Sequence, residues 1–229
     1  MRFNILSEGS TRRGFSNNVI RYAVLTAGLL LAGNTAQAQI NVSTGLDGTN
    51  TLLASGGLND AYWTVSGNPA QSVYPNNADW FGGWLANGPA STWIAINADV
   101  ANNGAAPYTF TRTFDLTGFD ISTASLTGAW AIDDVGTVNL NGNLLDTQGS
   151  GGWGSLHNFS APAADFVSGV NTLTITMTSD DQFLEAVRLE GTVTASRVAA
   201  TPEPGSAALL SGLLLTGAGL LARRHKRRN

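Results

Sequence analysis

The sequence predicts an all-β domain, an antiparallel β-sandwich of jelly-roll type, on three observations. Thr172-Leu173-Thr174-Ile175-Thr176-Met177-Thr178 alternates threonine with apolar residues throughout, and Tyr108, Phe110, Arg112 and Phe114 alternate with Thr109, Thr111 and Thr113. A period of two puts one face of a strand in a core and the other in water. Thr137-Val138-Asn139-Leu140 runs into Asn141-Gly142, the strongest short hairpin signal. No segment between residues 39 and 198 sustains a helical apolar spacing, and Gly-, Asn- and Ser-rich turns recur instead. Many short strands joined by such turns make a sandwich or jelly roll.

Taken in order, residues 1–38 read as an export signal. Arg2, Arg12, Arg13 and Arg21 precede an apolar run from Tyr22 to Ala32, and Ala36-Gln37-Ala38 offers small residues for cleavage. The mature chain then begins at Gln39. Thr11-Arg12-Arg13-Gly14-Phe15 also resembles a twin-arginine export motif; nothing downstream calls for a cofactor inserted before export, so the general secretory route is the expectation. The domain proper is expected over 39–198. Ile40-Asn41-Val42-Ser43, Ala61-Tyr62-Trp63-Thr64-Val65 and Thr92-Trp93-Ile94-Ala95-Ile96 read as its early strands. Gly67-Asn68-Pro69 and Tyr74-Pro75-Asn76-Asn77 read as turns, and Asp79 to Trp84 as an aromatic turn. Ile121 to Asp133 and Ala186 to Thr194 are the later strands.

Composition narrows the chemistry. There is no cysteine, so disulfides and thiol catalysis are excluded. Between residues 39 and 201 three arginines (Arg112, Arg188, Arg197) stand against fourteen Asp and Glu, a net charge of −11. Such a domain does not hold nucleic acid through phosphates. It repels itself into solution and attracts cations.

The last residues carry a different logic. A short linker, 199–205, contains Pro202-Glu203-Pro204, whose prolines keep the backbone extended. Residues 206–222 carry no charge; as a helix they reach about 25 Å, the short end of a membrane span. Residues 223–229 follow with Arg223, Arg224, Lys226, Arg227 and Arg228, which stay cytoplasmic by the positive-inside rule. This order of motif, span and basic end resembles the bacterial PEP-CTERM sorting signal. The resemblance implies an exported protein of the cell surface or extracellular matrix. It would be held briefly in the cytoplasmic membrane and processed by an exosortase, in a bacterium that makes extracellular polysaccharide.

A second resemblance lies over residues 105–195. Phe114-Asp115-Leu116, Ala131-Ile132-Asp133-Asp134, Val138-Asn139-Leu140-Asn141-Gly142, Phe166-Val167-Ser168-Gly169-Val170-Asn171-Thr172-Leu173 and Gly191 look like the galactose-binding-like β-sandwich. That superfamily includes carbohydrate binders, accessory modules of enzymes and structural domains, so the resemblance implies the fold before any ligand.

Candidate chemistry follows from few residues. His157 is the only histidine between 39 and 198, which excludes a multi-histidine zinc site. Its neighbours Ser155 and Ser160 are too near in sequence to signal a triad. A glycosidase needs two carboxylates across a sugar, and Asp133, Asp134, Asp180, Asp181, Glu185 and Glu190 are the available pool. Acidic residues at strand ends are more often turn formers, so no catalytic residue is assigned. Asp133, Asp134, Asp180, Asp181 and Glu185 also form the candidate oxygen set for a structural calcium ion; no other cofactor is expected. Carbohydrate binding would use exposed rings: Trp153 in Gly149-Ser150-Gly151-Gly152-Trp153-Gly154, and Trp80 and Trp84, with Asn158 and Gln148 as hydrogen-bonding neighbours. Trp93 and Trp130, within strands, are expected in the core. The expected function is non-catalytic binding or organisation of extracellular polysaccharide. A purely structural matrix role and a secreted glycoside hydrolase are the alternatives.

Overall fold

The computed structural model describes residues 37–54, 56–74, 83–100, 107–178 and 184–198. Ala36, Trp80, Asp180, Asp181, the Pro-Glu-Pro linker, the apolar segment and the basic end lie outside them. Among the described residues no helix is long and apolar enough to cross a membrane.

The strands are β1 (Gln37–Asn41), β2 (Asn59–Val65), β3 (Asn68–Ser72), β4 (Ile94–Ala95), β5 (Tyr108–Asp115), β6 (Phe119–Asp133), β7 (Val135–Leu140), β8 (Asn143–Gln148), β9 (His157–Ala161), β10 (Val170–Thr178) and β11 (Ala186–Arg197). Every pairing is antiparallel, and one hydrogen-bonded path runs β8-β7-β10-β5-β2-β3-β4-β11-β6-β9, with β1 added to β11. The path doubles back at the two-residue β4. Trp63, Phe110, Phe114, Leu173 and Ile175 from its first half share one core with Leu126, Trp130, Ile132, Val187, Leu189 and Val193 from its second. That is a sandwich, as the alternation predicts. The threonines of β5 and β10 fall on the open face in register, Thr172 opposite Thr113, Thr174 opposite Thr111 and Thr176 opposite Thr109, while their apolar neighbours are buried.

Two side chains explain why the turns at Asn141-Gly142 and Gly169-Val170-Asn171 hold. Asn171 is fully buried; its Nδ2 donates to the carbonyls of Val167 and Gly169, and its Oδ1 accepts from Val167 N and Asn141 Nδ2. Asn141 Oδ1 in turn accepts from Thr172 N at 2.9 Å. Asn141 and Gly142 both take positive φ, 51° and 87°, which suits the tight turn joining β7 to β8.

The expected strand over 92–96 shrinks to Ile94–Ala95. The Trp93 N–H leaves the ladder and donates to Asn87 Oδ1 at 2.9 Å instead. β1 begins at Gln37, two residues before the expected domain start. β3, β8 and β9 have no counterpart in the expected strand set.

Candidate functional site

A second apolar cluster sits on the far side of β6 and β11 from the main core. Val73, Trp84, Trp93, Ala95, Val100, Ala131, Leu184 and Ala186 form it, and Leu85, Trp153 and Leu156 pack partly buried against it. Strand parity places it there: Trp130 and Ile132 face the main core, so Ala131 and Asp133 point the opposite way. The segment 83–93 folds over this outer face. Arg188 of β11 fastens it, donating from Nε to Ser91 Oγ at 2.7 Å, from Nη1 to the Ala86 carbonyl and from Nη2 to Glu190 Oε1 at 2.6 Å. With these partners a 97%-buried cation is neutralised and hydrogen-bonded on all three nitrogens.

Trp84 and Trp93 stack within the cluster, ring centroids 4.5 Å apart and planes 30° apart. Trp93 Nε1 donates to the Leu85 carbonyl at 2.7 Å, and Trp84 Nε1 donates to Asp133 Oδ2 at 2.6 Å. Trp84 is therefore not an exposed ring of a loop; it is 8% exposed. Its indole N–H needs a partner when buried, and the end of β6 supplies one.

Trp153 lies in a single 3-10 turn, Gly152–Gly154, between β8 and β9. Gly151 enters it at φ 95°. A side chain at Gly152 would collide with Gln148 Oε1 and press on the Ile132 carbonyl at 3.1 Å, so glycine lets the turn lie against the sheet. The Trp153 carbonyl accepts from Leu85 N at 2.8 Å. The residue is half-buried and packs against the second cluster, while Gly151, Gly154 and Ser155 beside it are exposed. Asn158 is exposed on edge strand β9, opposite Ala129 and on the side away from buried Phe159. Trp153 and Asn158 thus share the outer face. Gln148 does not join them. It is 2% exposed and its Nε2 donates to the carbonyl of Trp130, the last paired residue of β6 in the β6–β9 ladder, at 2.8 Å.

Three carboxylates are buried at this end of the molecule: Asp133 (6% exposed), Asp134 (5%) and Glu185 (2%). Burial pushes the Asp133 carboxyl up to about 9; a hydrogen bond to Asp134 and that group's charge add to it, Glu185 adds less, and the Trp84 hydrogen bond opposes it. Burial and its neighbours therefore favour the protonated form of this carboxyl. The sequence alone offered no sign of this, because burial of these acids depends on segment 83–93 folding over them. Among the described residues no group of three His, Cys, Asp or Glu is arranged to hold a metal ion. Asp180 and Asp181 lie outside those residues. Trp130, 0% exposed, lies in the main core within β6 as expected, whereas Trp93, 1% exposed, is buried in the second cluster and lies just before β4.

No family profile matches the chain, and no curated protein matches it in sequence. Solved structures do superpose. Carbohydrate-binding module CBM36, in complex with calcium and xylotriose, is 11% identical and covers 48% of this chain and 84% of its own at a TM-score of 0.28. CsCBM6-3 from Clostridium stercorarium, in complex with cellobiose, is 16% identical over 60% of this chain and 88% of its own at 0.31. CBM35 from Cellvibrio japonicus Abf62 is 12% identical over 72% and 95% at 0.30. At these TM-scores the superpositions assign this chain neither a ligand nor a site.

Proposed function

We propose that this chain is an exported, non-catalytic protein that binds extracellular polysaccharide through the outer face around Trp153. One observation carries the reading: a partly buried indole packed against the second apolar cluster, in a turn whose Gly151, Gly154 and Ser155 are exposed. The C–H face of a sugar ring stacks on such a platform, and Asn158 and Ser155 at its border supply hydrogen bonds, the usual pairing of an apolar surface with a few polar groups. The buried acids argue against hydrolysis. Asp133, Asp134 and Glu185 lie beneath the surface, whereas a glycosidase acid must reach the glycosidic oxygen.

Export completes the proposal. The signal-like residues 1–38 and the Pro202-Glu203-Pro204, apolar and basic segments support a substrate of an exosortase, released to the cell surface or matrix after processing. Intact mass of the protein from its native host checks this. A mature species that retains Arg223 to Asn229 overturns it.

The binding claim is tested by affinity electrophoresis in the host's polysaccharide, run with a thermal melt. Trp153→Ala is expected to abolish retardation and to lower stability by about 1–2 kcal/mol, less than the ~3–5 kcal/mol of a fully buried tryptophan. A mutant that melts far lower yet is still retarded rejects the site.

A further inference from the structure

We infer that this chain is exported unfolded and loses residues 1–38 before its domain closes. The inference rests on the export reading and decides the route that the sequence leaves open. The bond to be cut, between Ala38 and Gln39, lies inside β1, where Ala38 pairs with Ala195 and Gln39 with Thr194 of β11. A peptidase that takes its substrate as an extended segment needs the backbone N–H and C=O groups flanking the bond. In the folded domain those groups on the β11 side are already taken, and the bond is held in a ladder that keeps it from entering a peptidase cleft.

The mask is firmly placed. On its other side β11 pairs with β6 from Ala186↔Asp133 to Arg197↔Phe119, so it has little freedom to slide away. Downstream of the bond, Ile40 packs against the main core. The Asn41 carbonyl accepts from Arg112 Nη2 at 2.9 Å, and the Val42 and Ser43 carbonyls share Trp63 Nε1 at 3.1 and 3.2 Å. Arg112 and Trp63 belong to the opposite layer, so the segment is clamped from both halves of the sandwich. Exposing the bond requires lifting β1 off its neighbour.

β11 is also the last strand of the domain to be made. A chain threaded through the membrane unfolded presents Ala38–Gln39 while its mask is still on the other side, and the bond is open to attack. A chain folded first, as twin-arginine export requires, arrives with β11 already in place. Arg12 and Arg13 then serve as the positive region that precedes the apolar run, not as a twin-arginine address.

Two experiments test this. Full-length protein in detergent micelles is incubated with signal peptidase, the folded wild type beside Val193→Asp, which puts a charge in the main core and stops β11 from docking. The folded chain is expected to be cut at least about tenfold more slowly than the variant. Equal rates overturn the inference and leave the export reading standing. Absence of cleavage between Ala38 and Gln39 in both proteins, checked by amino-terminal sequencing, overturns the export reading and the inference with it. In the native host, a chain carrying Arg12→Lys and Arg13→Lys together is expected to be exported at the wild-type level. Retention in the cytoplasm overturns the unfolded route.

Discussion

Burial, reinforced by Asp134 and less by Glu185, raises the Asp133 carboxyl and favours its protonated form. The folded state binds this proton more tightly than the unfolded chain, with a carboxyl at about 9 against a usual 3.8. The stabilisation linked to it is fully present below the unfolded value and is lost as pH rises through the folded one. The melting temperature is therefore expected to fall from pH 4 to pH 9 and to fall less in Asp133→Asn, which keeps an oxygen for Trp84 Nε1. A melt series with equal slopes for both proteins rejects the assignment. Added calcium raising the wild-type melting temperature at pH 8 would show that a cation takes the proton's place. Asn171 is a second residue with a large expected effect. Asn171→Ala removes its contacts to Val167, Gly169 and Asn141 together, so the Val167 N–H and carbonyl lose the side-chain partners that close the turn. A loss of about 2–4 kcal/mol in urea unfolding is expected. The turn it closes was legible in the Gly169-Val170-Asn171-Thr172-Leu173 run. The burial of Trp84 and Gln148 was not, because each depends on one distant partner: Asp133 for the first, the Trp130 carbonyl for the second.

At the level of elements, legibility follows alternation. β5, β6, β7, β10 and β11 alternate or carry β-prone runs, and each was readable within a few residues. β3 hides because Asn68-Pro69-Ala70-Gln71-Ser72 is small and polar and contains a proline, tolerated where few ladder bonds are made. β8 hides because a bulge opposite Val138 and Asn139 breaks its period. β9 offers only Phe159 and Ala161 to the core. Two devices at this scale are testable. Gly142→Ala forces a side chain into φ 87° and is expected to cost about 1–2 kcal/mol, measured by thermal melting against Asn143→Ala as a neutral neighbour. Arg188→Met unfastens segment 83–93 by removing its bonds to Ser91 and Ala86. Near-ultraviolet circular dichroism is expected to lose the signal of the stacked Trp84 and Trp93 rings while far-ultraviolet β signal stays. Loss of both signals together would mean that Arg188 holds the sandwich and not the flap.

For the whole molecule, β6 and β11 set the axis. At one pole Gln37 lies opposite Ser196, and Phe119 opposite Arg197. At the other, Asp133 lies opposite Ala186, beside Trp84 and the Trp153 turn. Fifteen residues of β6, at about 3.3 Å each, separate the poles by close to 50 Å. Both ends of the domain leave from the pole opposite the platform. This has a mechanical meaning. A load applied between the Trp153 turn and the carboxyl end of β11 runs parallel to the β6–β11 ladder, so its hydrogen bonds resist together in shear. A load between Gln37 and Arg197 opens the β1 pairing one bond at a time. The absence of native cysteine permits single handles at Ser155→Cys and Arg197→Cys, or at Gln37→Cys and Arg197→Cys. In single-molecule pulling the first pair is expected to yield at the higher force. A protein seated on a glycan at one pole and tethered at the other would then be loaded along its strongest direction, a rivet in a stretched matrix.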